Sequence, residues 1–259
     1  MKKINKSVPP NKLTEYATRN PTNDWEQFRK SSKRKNYKNT KQVIFDDQGG
    51  LCAFCEDKVQ DKTKQQIEHF HSKKDNNPTL YHNWALDWDN VMGVCSGGKD
   101  ADQNVNPLPA NLSCDAYKDH LILKNRLSVN CEGYLLNPLH LPAFPCLFDF
   151  NIRTGELKQK NDYSGIEFKN NQYGSTAELV AKTIEHLNLN CDRLNKQRLE
   201  VLKLYNQEVA KARKNNDRTI FTKLVQRWFQ KRWISFFTTR RILLGEEAEN
   251  YLKQINYEG

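Results

Sequence analysis

The feature that most constrains this chain is a pair of cysteines, Cys52 and Cys55, which are separated by two residues and preceded by Gly49–Gly50. A CxxC pair can turn the backbone sharply and direct two thiolates at one tetrahedral zinc ion. The sequence holds seven cysteines, an odd number, and its first residues lack the apolar segment of a secretory signal. We therefore expect a cytoplasmic protein whose thiols are free to bind metal.

A zinc site needs a second pair of ligands, and Cys95 and Cys114 are the nearest candidates. These two cysteines are 19 positions apart, much wider than a second CxxC pair. One member of the quartet could therefore be replaced by another residue of this region: His71, His82 or Cys131. The alternative for Cys52 and Cys55 is a redox pair, which would form a reversible disulfide and hold no zinc.

The charge of the chain favours a polyanionic partner, since its formal net charge is +10 and its pI is about 9.2. Residues 24–41 contain seven basic and two acidic residues, and residues 211–241 contain ten basic residues and one acidic residue. Aromatic residues are interleaved with both runs, which favours phosphate-facing surfaces over purely solvated helix faces. The candidates for nucleic-acid contacts in the second run are Arg227, Lys231 and Arg232.

No stretch of the sequence approaches the roughly 20 apolar residues that a membrane-spanning helix requires. The mean hydropathy of −0.87 is low, yet the chain contains twelve Phe, ten Tyr and five Trp with which to build a core. We therefore expect a folded protein with no membrane association.

Hydrophobic periodicity predicts an α+β fold with a predominantly α-helical C-terminal half. A basic helix is predicted from Asp24 to about Asn39, ahead of a loop-rich centre with strand-like runs only at 65–70 and 91–95. Residues 147–151 and 155–160 flank a turn and predict a hairpin. Beyond the hairpin, apolar residues recur at helical spacing.

Glu68 and His69 lie between the two cysteine pairs and are the first candidates for chemistry. Adjacent side chains on a strand point to opposite faces, so these two cannot both bind one small ion without a twist or bulge. That geometry favours a division of labour in which the carboxylate holds a hard cation and the imidazole activates water. A zinc ion joining the cysteine pairs would bring Asp115, the neighbour of Cys114, towards this strand as a second carboxylate.

Three further polar residues belong to the same prediction. Asn90 precedes an apolar run that ends at Cys95, and we expect it to fix a loop by accepting and donating backbone hydrogen bonds. Lys73 and Lys118 are expected to steady the phosphate of a phosphodiester.

The order of these motifs resembles that of HNH endonucleases with a zinc-binding cysteine quartet. More specifically, it resembles the PtuB-type nucleases of bacterial anti-phage defence, which occur in Septu systems and in some retron systems. The resemblance is carried by Cys52–Cys55, Ile67-Glu68-His69-Phe70 and Trp88-Asp89-Asn90-Val91. It is strongest over about residues 50–120 and continues more weakly towards residue 189.

The resemblance implies a zinc-stabilised ββα-metal core in which His69 is the general base. It also implies that Glu68 ligates a catalytic Mg²⁺ or Mn²⁺ and that Asn90 is the central Asn that braces the loop. Asp115 stands where the family has His or Asn. This departure keeps a good ligand for a hard metal.

A nuclease of this type would hydrolyse DNA or tRNA as the effector of a defence system. The resemblance implies control by a PtuA-like ATPase and, in retron systems, by a reverse transcriptase and its msDNA. Since the chain holds no P-loop motif, any ATP dependence would come from such a partner. The alternative is a catalytically inactive, zinc-stabilised nucleic-acid-binding adaptor of the same kind of complex, with a vestigial Glu68–His69 site.

These expectations divide the chain into three spans. Residues 1–40 are predicted to form a basic N-terminal arm and helix, and residues 41–145 the zinc-containing HNH nuclease core. Residues 146–259 are predicted to form a hairpin and a helical region for docking or nucleic-acid binding.

Overall fold

The computed structural model describes residues 1–73, 75, 82–230 and 233–259, and these ranges contain eight α-helices and two small sheets. In chain order the elements are α1 (Asn11–Arg19), α2 (Trp25–Lys30), α3 (Lys35–Asp47), β1 (Gln66–His69), β2 (Val91–Val94), α4 (Cys114–Leu123), β3 (Phe148–Phe150), β4 (Leu157–Gln159), α5 (Thr176–His186), α6 (Asp192–Lys214), α7 (Ile220–Phe229) and α8 (Phe237–Gln254). The mixed fold and its helical C-terminal half agree with the prediction, as do the positions of the four strands.

The strands β1 and β2 pair antiparallel, with Glu68 opposite Met92 and His69 opposite Val91. Every residue of β2 is buried. Gly93 permits the close approach of helix α3, because a Cβ at this position would lie 2.7 Å from Cζ of Phe45. The short sheet is therefore pressed directly against α3 on one side.

Helix α4 follows the sheet and lies in a segment that hydrophobic periodicity assigned to loops, although the family resemblance implied a helix after two strands. The buried positions Cys114, Lys118 and Leu121 have the i, i+4, i+7 spacing of a buried helix face. A charged residue stands in the middle of that face, so hydrophobic periodicity alone misses the helix.

The basic helix predicted from Asp24 to about Asn39 is interrupted. Helix α2 ends at Lys30, and the next segment has left-handed backbone at Ser32, Lys33 and Arg34, with φ of 47°, 50° and 67°. Non-glycine residues adopt this conformation at an energetic cost. The break lets α2 and α3 each turn a separate apolar face inward, and both contribute side chains to one buried cluster.

Three clusters of buried apolar side chains hold these elements together. The largest joins the sheet, the CxxC segment, α5 and the start of α6, and it includes Met1 and Ile4. A second lies between α7 and α8. The third, which contains Trp25, Phe28 and Val91, supports the sheet from the side of α2 and α3. Among the helices that the structure describes, none is long and apolar enough to cross a membrane.

Candidate metal centre and active site

The four predicted cysteines meet at one point in the structure. The Sγ atoms of Cys52, Cys55, Cys95 and Cys114 all lie within 4.8 Å of one another. Three of the Sγ–Sγ distances, Cys52–Cys114, Cys55–Cys95 and Cys95–Cys114, are 3.8 Å. Four thiolates bound tetrahedrally to zinc at ~2.3 Å would be about 3.8 Å apart, so the cluster has the dimensions of a closed zinc site.

Backbone contacts fix the segments that carry these thiols. The N–H of Ala53 donates to the carbonyl of Gly93 at 2.9 Å, which joins the CxxC turn to strand β2. The N–H of Cys114 donates to the carbonyl of Leu187 at 2.8 Å, which joins the start of α4 to the segment after α5. The cluster therefore connects the CxxC turn, the end of β2 and the start of α4.

Beside this cluster, helix α4 and strand β1 face each other through three charged side chains. Asp115 and Lys118 belong to α4, and Glu68 belongs to β1. The Nζ atom of Lys118 contacts the carboxylate of Glu68 and lies 3.4 Å from Oδ1 of Asp115. Glu68 and Lys118 are both buried. Burial, followed by the charge of Asp119, raises the pKa of Asp115 to about 7. Burial also lowers the pKa of Lys118.

His69 is buried at the end of β1, with its ring edge-on to Trp25 at a centroid distance of 4.9 Å. Its Nε2 atom lies 3.1 Å from the carbonyl oxygen of Ala85, which can only accept a hydrogen bond. Nε2 therefore carries the proton, and Nδ1 makes no hydrogen bond in the part of the chain that the structure describes. Burial, with a contribution from the charge of Lys73, lowers the pKa of His69 to about 4, so the ring is neutral at pH 7.

Asn90 holds together the two ends of the segment between the strands. Its Oδ1 accepts a hydrogen bond from the backbone N–H of His71 at 2.7 Å. Its Nδ2 donates to the carbonyls of His71 and Trp84, each at 2.9 Å. The side chain thus uses both its acceptor and its donors on backbone groups next to His69.

A cleft of about 410 Å³ brings this chemistry together. Its lining includes Glu68, His69, Lys73, Asp115 and Lys118. A larger cavity of about 720 Å³ shares Phe70 with the cleft but contains none of these charged groups. The smaller cleft, with its carboxylates and neutral imidazole, is therefore the candidate active site.

The structure separates the predicted nucleic-acid contacts into three groups. Lys73 is exposed at the cleft, whereas Lys118 is buried between two carboxylates. Arg227 is exposed on α7, distant in sequence from the cleft, and pairs with Glu208 at 3.4 Å. Lys231 and Arg232 lie outside the described residues.

Two residues that orient His69 could not be identified from the sequence. Ala85 acts through its backbone carbonyl, which leaves no signal in residue type. Trp25 comes from α2 and precedes His69 by 44 positions. An aromatic residue in a basic segment does not indicate which distant side chain it will contact.

Fold and site together define a mixed α/β protein in which a four-cysteine cluster with the dimensions of a zinc site lies beside a cleft that holds two carboxylates and a histidine. No protein-family model matches the chain. The chain is 38% identical over 251 residues to an Escherichia coli protein named "Retron Ec83 putative HNH endonuclease", and the match covers 95% of each chain. The chain therefore belongs to the HNH endonuclease family and is an enzyme of that class.

Proposed function

We propose that this protein is a metal-dependent nuclease whose core is the ββα-metal unit formed by β1, β2 and α4. The observation that carries the proposal is the convergence of Glu68, Asp115 and a neutral His69 on one cleft beside the cysteine cluster. Phosphodiester hydrolysis needs a base for water and positive charge at the phosphate. The cleft supplies the base and the ligands for a cation.

The carboxylates fit a hard divalent ion such as Mg²⁺ or Mn²⁺. Oδ1 of Asp115 is buried and accepts no hydrogen bond among the described residues, and the ammonium of Lys118, 3.4 Å away, already pairs with it as a cation. Glu68 and Asp115 would be the protein ligands, and water and a substrate phosphate would complete the coordination. When bound, such an ion supplies positive charge that stabilises the phosphate and the leaving oxygen.

His69 is proposed as the general base. Its Nε2 proton is directed at Ala85, which leaves the unprotonated Nδ1 to take a proton from water. The low pKa keeps the ring neutral throughout the physiological pH range. Asn90 acts as a positioning residue, because its hydrogen bonds fix the backbone at His71.

The four-cysteine cluster is proposed to hold structural zinc. Four thiolates leave no open coordination position for substrate, so the ion would stabilise the fold and take no part in hydrolysis. Its place at the start of α4 explains how Asp115, the residue after Cys114, is held against β1.

Exposed cations provide the proposed nucleic-acid surface. Besides Lys73, the break between α2 and α3 and the first turns of α3 present basic side chains that form no ion pair among the described residues: Lys33, Arg34, Lys35 and Lys38. The helix pair that carries them also carries Trp25, which contacts His69. A strand bound along this surface would therefore run close to the cleft. Arg227 is proposed as a more distant contact, together with Lys231 and Arg232.

The name of the E. coli relative connects that protein with a retron. On this basis we propose that the present chain is the nuclease effector of a related anti-phage system of the PtuB type. Its partners there would be a PtuA-like ATPase, a reverse transcriptase and msDNA. Such partners would restrain the nuclease until a trigger arrives, and DNA or tRNA would then be cut.

Incubation of the zinc-loaded protein with supercoiled DNA and with tRNA tests this function, in Mg²⁺, in Mn²⁺ and after chelation. Because partners could restrain the nuclease, the same assay is run with its operon neighbours co-expressed. We expect cleavage of one substrate that requires a divalent ion and is lost in His69→Ala. Binding of either substrate without cleavage under all conditions would favour the adaptor function instead.

A further inference from the structure

The ammonium of Lys118 occupies the space between two buried carboxylates. Its Nζ contacts Glu68 and lies 3.4 Å from Oδ1 of Asp115. The exposed fractions of the three side chains are 9% for Glu68, 5% for Lys118 and 15% for Asp115. Among the described residues, no other cation forms an ion pair with either carboxylate. Lys118 is therefore the counter-ion of this pair.

We propose that Lys118 is an internal competitor for the divalent ion: its ammonium holds the carboxylates in the metal-free protein and must leave when the ion binds. This inference rests on the proposed function, because it takes Glu68 and Asp115 to be the ligands of that ion. It assigns to Lys118 a positioning role that the proposed mechanism does not include.

A cation at this position offsets the negative charges of Glu68 and Asp115. Two buried carboxylates without a counter-charge would repel each other, and the ammonium of Lys118 offsets part of that repulsion. A divalent ion bound to the same oxygen atoms would repel an ammonium left 3–4 Å away. The two cations therefore exclude each other.

The cleft gives the side chain of Lys118 space into which its ammonium can move. A lysine ammonium is a compact charge on a flexible four-carbon stem, so it can move without displacing the helix backbone. Lys118 lines the 410 Å³ cleft together with the exposed Lys73. In the cleft the released ammonium would meet the phosphate of a bound nucleic acid. Ion binding and substrate binding would then strengthen each other, as thermodynamic linkage requires.

Mn²⁺ binding to the full-length, zinc-loaded protein tests the competition directly, by calorimetry or electron paramagnetic resonance without nucleic acid. We expect Lys118→Met to bind Mn²⁺ at least about tenfold more tightly than wild type, a typical coupling between sites. Lys118→Arg keeps a cation between the carboxylates and should show no gain. Lys124→Met is the matched control, because it removes an equal charge from an exposed lysine just after α4 and outside the cleft lining, and it should change affinity less than about threefold.

A purely structural ion pair gives a different result. Unchanged or weaker Mn²⁺ binding in a folded Lys118→Met would overturn the proposal, as would an equal gain in Lys124→Met. Zinc content and circular dichroism establish folding of each variant. If Lys118→Met does not fold, Lys118→Gln takes its place with the same criteria. The Mn²⁺ affinity of Lys118→Arg is compared with that of wild type. Tighter Mn²⁺ binding in Lys118→Arg would also overturn the competition.

Coupling to substrate provides a second readout. A non-cleavable oligonucleotide should bind wild type more tightly when Mn²⁺ is present. Lys118→Met should show a smaller enhancement, because only the direct contact between the ion and the phosphate remains. Failure of the proposed function looks different. In that case wild type and Lys118→Met show no Mn²⁺ binding that depends on Glu68 and Asp115, as tested with Glu68→Gln and Asp115→Asn.

Discussion

The Nε2 atom of His69 lies 3.1 Å from the carbonyl oxygen of Ala85, a residue 16 positions further along the chain. This contact assigns the ring proton to Nε2, because a carbonyl oxygen can only accept. The edge-on contact with Trp25 restrains the same ring from another side. The orientation of His69 is thus fixed by the protein before a substrate binds.

The cysteine cluster predicts a strong dependence of stability on metal. Cys52→Ser removes one thiolate, and we expect loss of zinc and a fall of more than about 4 kcal/mol in the free energy of unfolding. The melting temperature should then decrease by roughly 8–16 °C. Metal analysis and thermal unfolding measure both effects. Cys146→Ser is the control, because Cys146 is buried outside the cluster and should leave zinc content unchanged.

Zinc retained at one ion per chain in Cys52→Ser, with wild-type melting, would show that the quartet is wrong. A reversible disulfide between Cys52 and Cys55 in a zinc-free wild-type protein would favour the redox alternative.

The hydrogen bonds of Asn90 predict a second effect on the free energy of unfolding, distinct from that of the cysteine cluster. Asn90→Ala removes three hydrogen bonds to backbone groups, two of them buried, and we expect a loss of about 2–4 kcal/mol in the free energy of unfolding. Asn90→Asp keeps the acceptor for the His71 N–H but cannot donate to the two carbonyls, so it should also be destabilised. Denaturant unfolding measures the change. A loss below about 0.5 kcal/mol in both variants would contradict the bracing role.

The basic break between α2 and α3 predicts a change in the salt dependence of nucleic-acid binding. Arg34→Gln, Lys35→Gln and Lys38→Gln together should weaken binding and reduce the slope of log affinity against log salt by up to about 3. The control removes the same charge from exposed lysines elsewhere: Lys12, Lys196 and Lys203. Equal slopes of log affinity against log salt for the two triple variants would show that the basic break is ordinary solvated surface.

Much of the metal centre could be predicted from sequence. The CxxC spacing of Cys52 and Cys55 is a local signal, and the structure brings the predicted Cys95 and Cys114 to the same point. The strand positions could also be predicted, since β2 is a short apolar run and β1 places Ile67 between polar residues in a strand-like segment. These features depend on neighbours in the chain.

Features that depend on distant contacts could not be predicted. Helix α4 was missed because Lys118 stands in its buried face, and that lysine is buried only because Glu68 lies across from it on β1. The i, i+3 spacing of Asp115 and Lys118 on a helix is the one signal that could have indicated the ion pair. The left-handed break at Ser32–Arg34 has no glycine to mark it.

The central claim is that His69 activates water for phosphodiester hydrolysis, and the most direct test compares cleavage rates of wild type and His69→Ala under single-turnover conditions. We expect the cleavage rate of His69→Ala to be about 10²–10⁴-fold lower, with zinc content, melting temperature and nucleic-acid binding unchanged. His82→Ala, which alters an exposed imidazole outside the cleft lining, should cleave at the wild-type rate. Wild-type cleavage by a folded His69→Ala protein would contradict the claim.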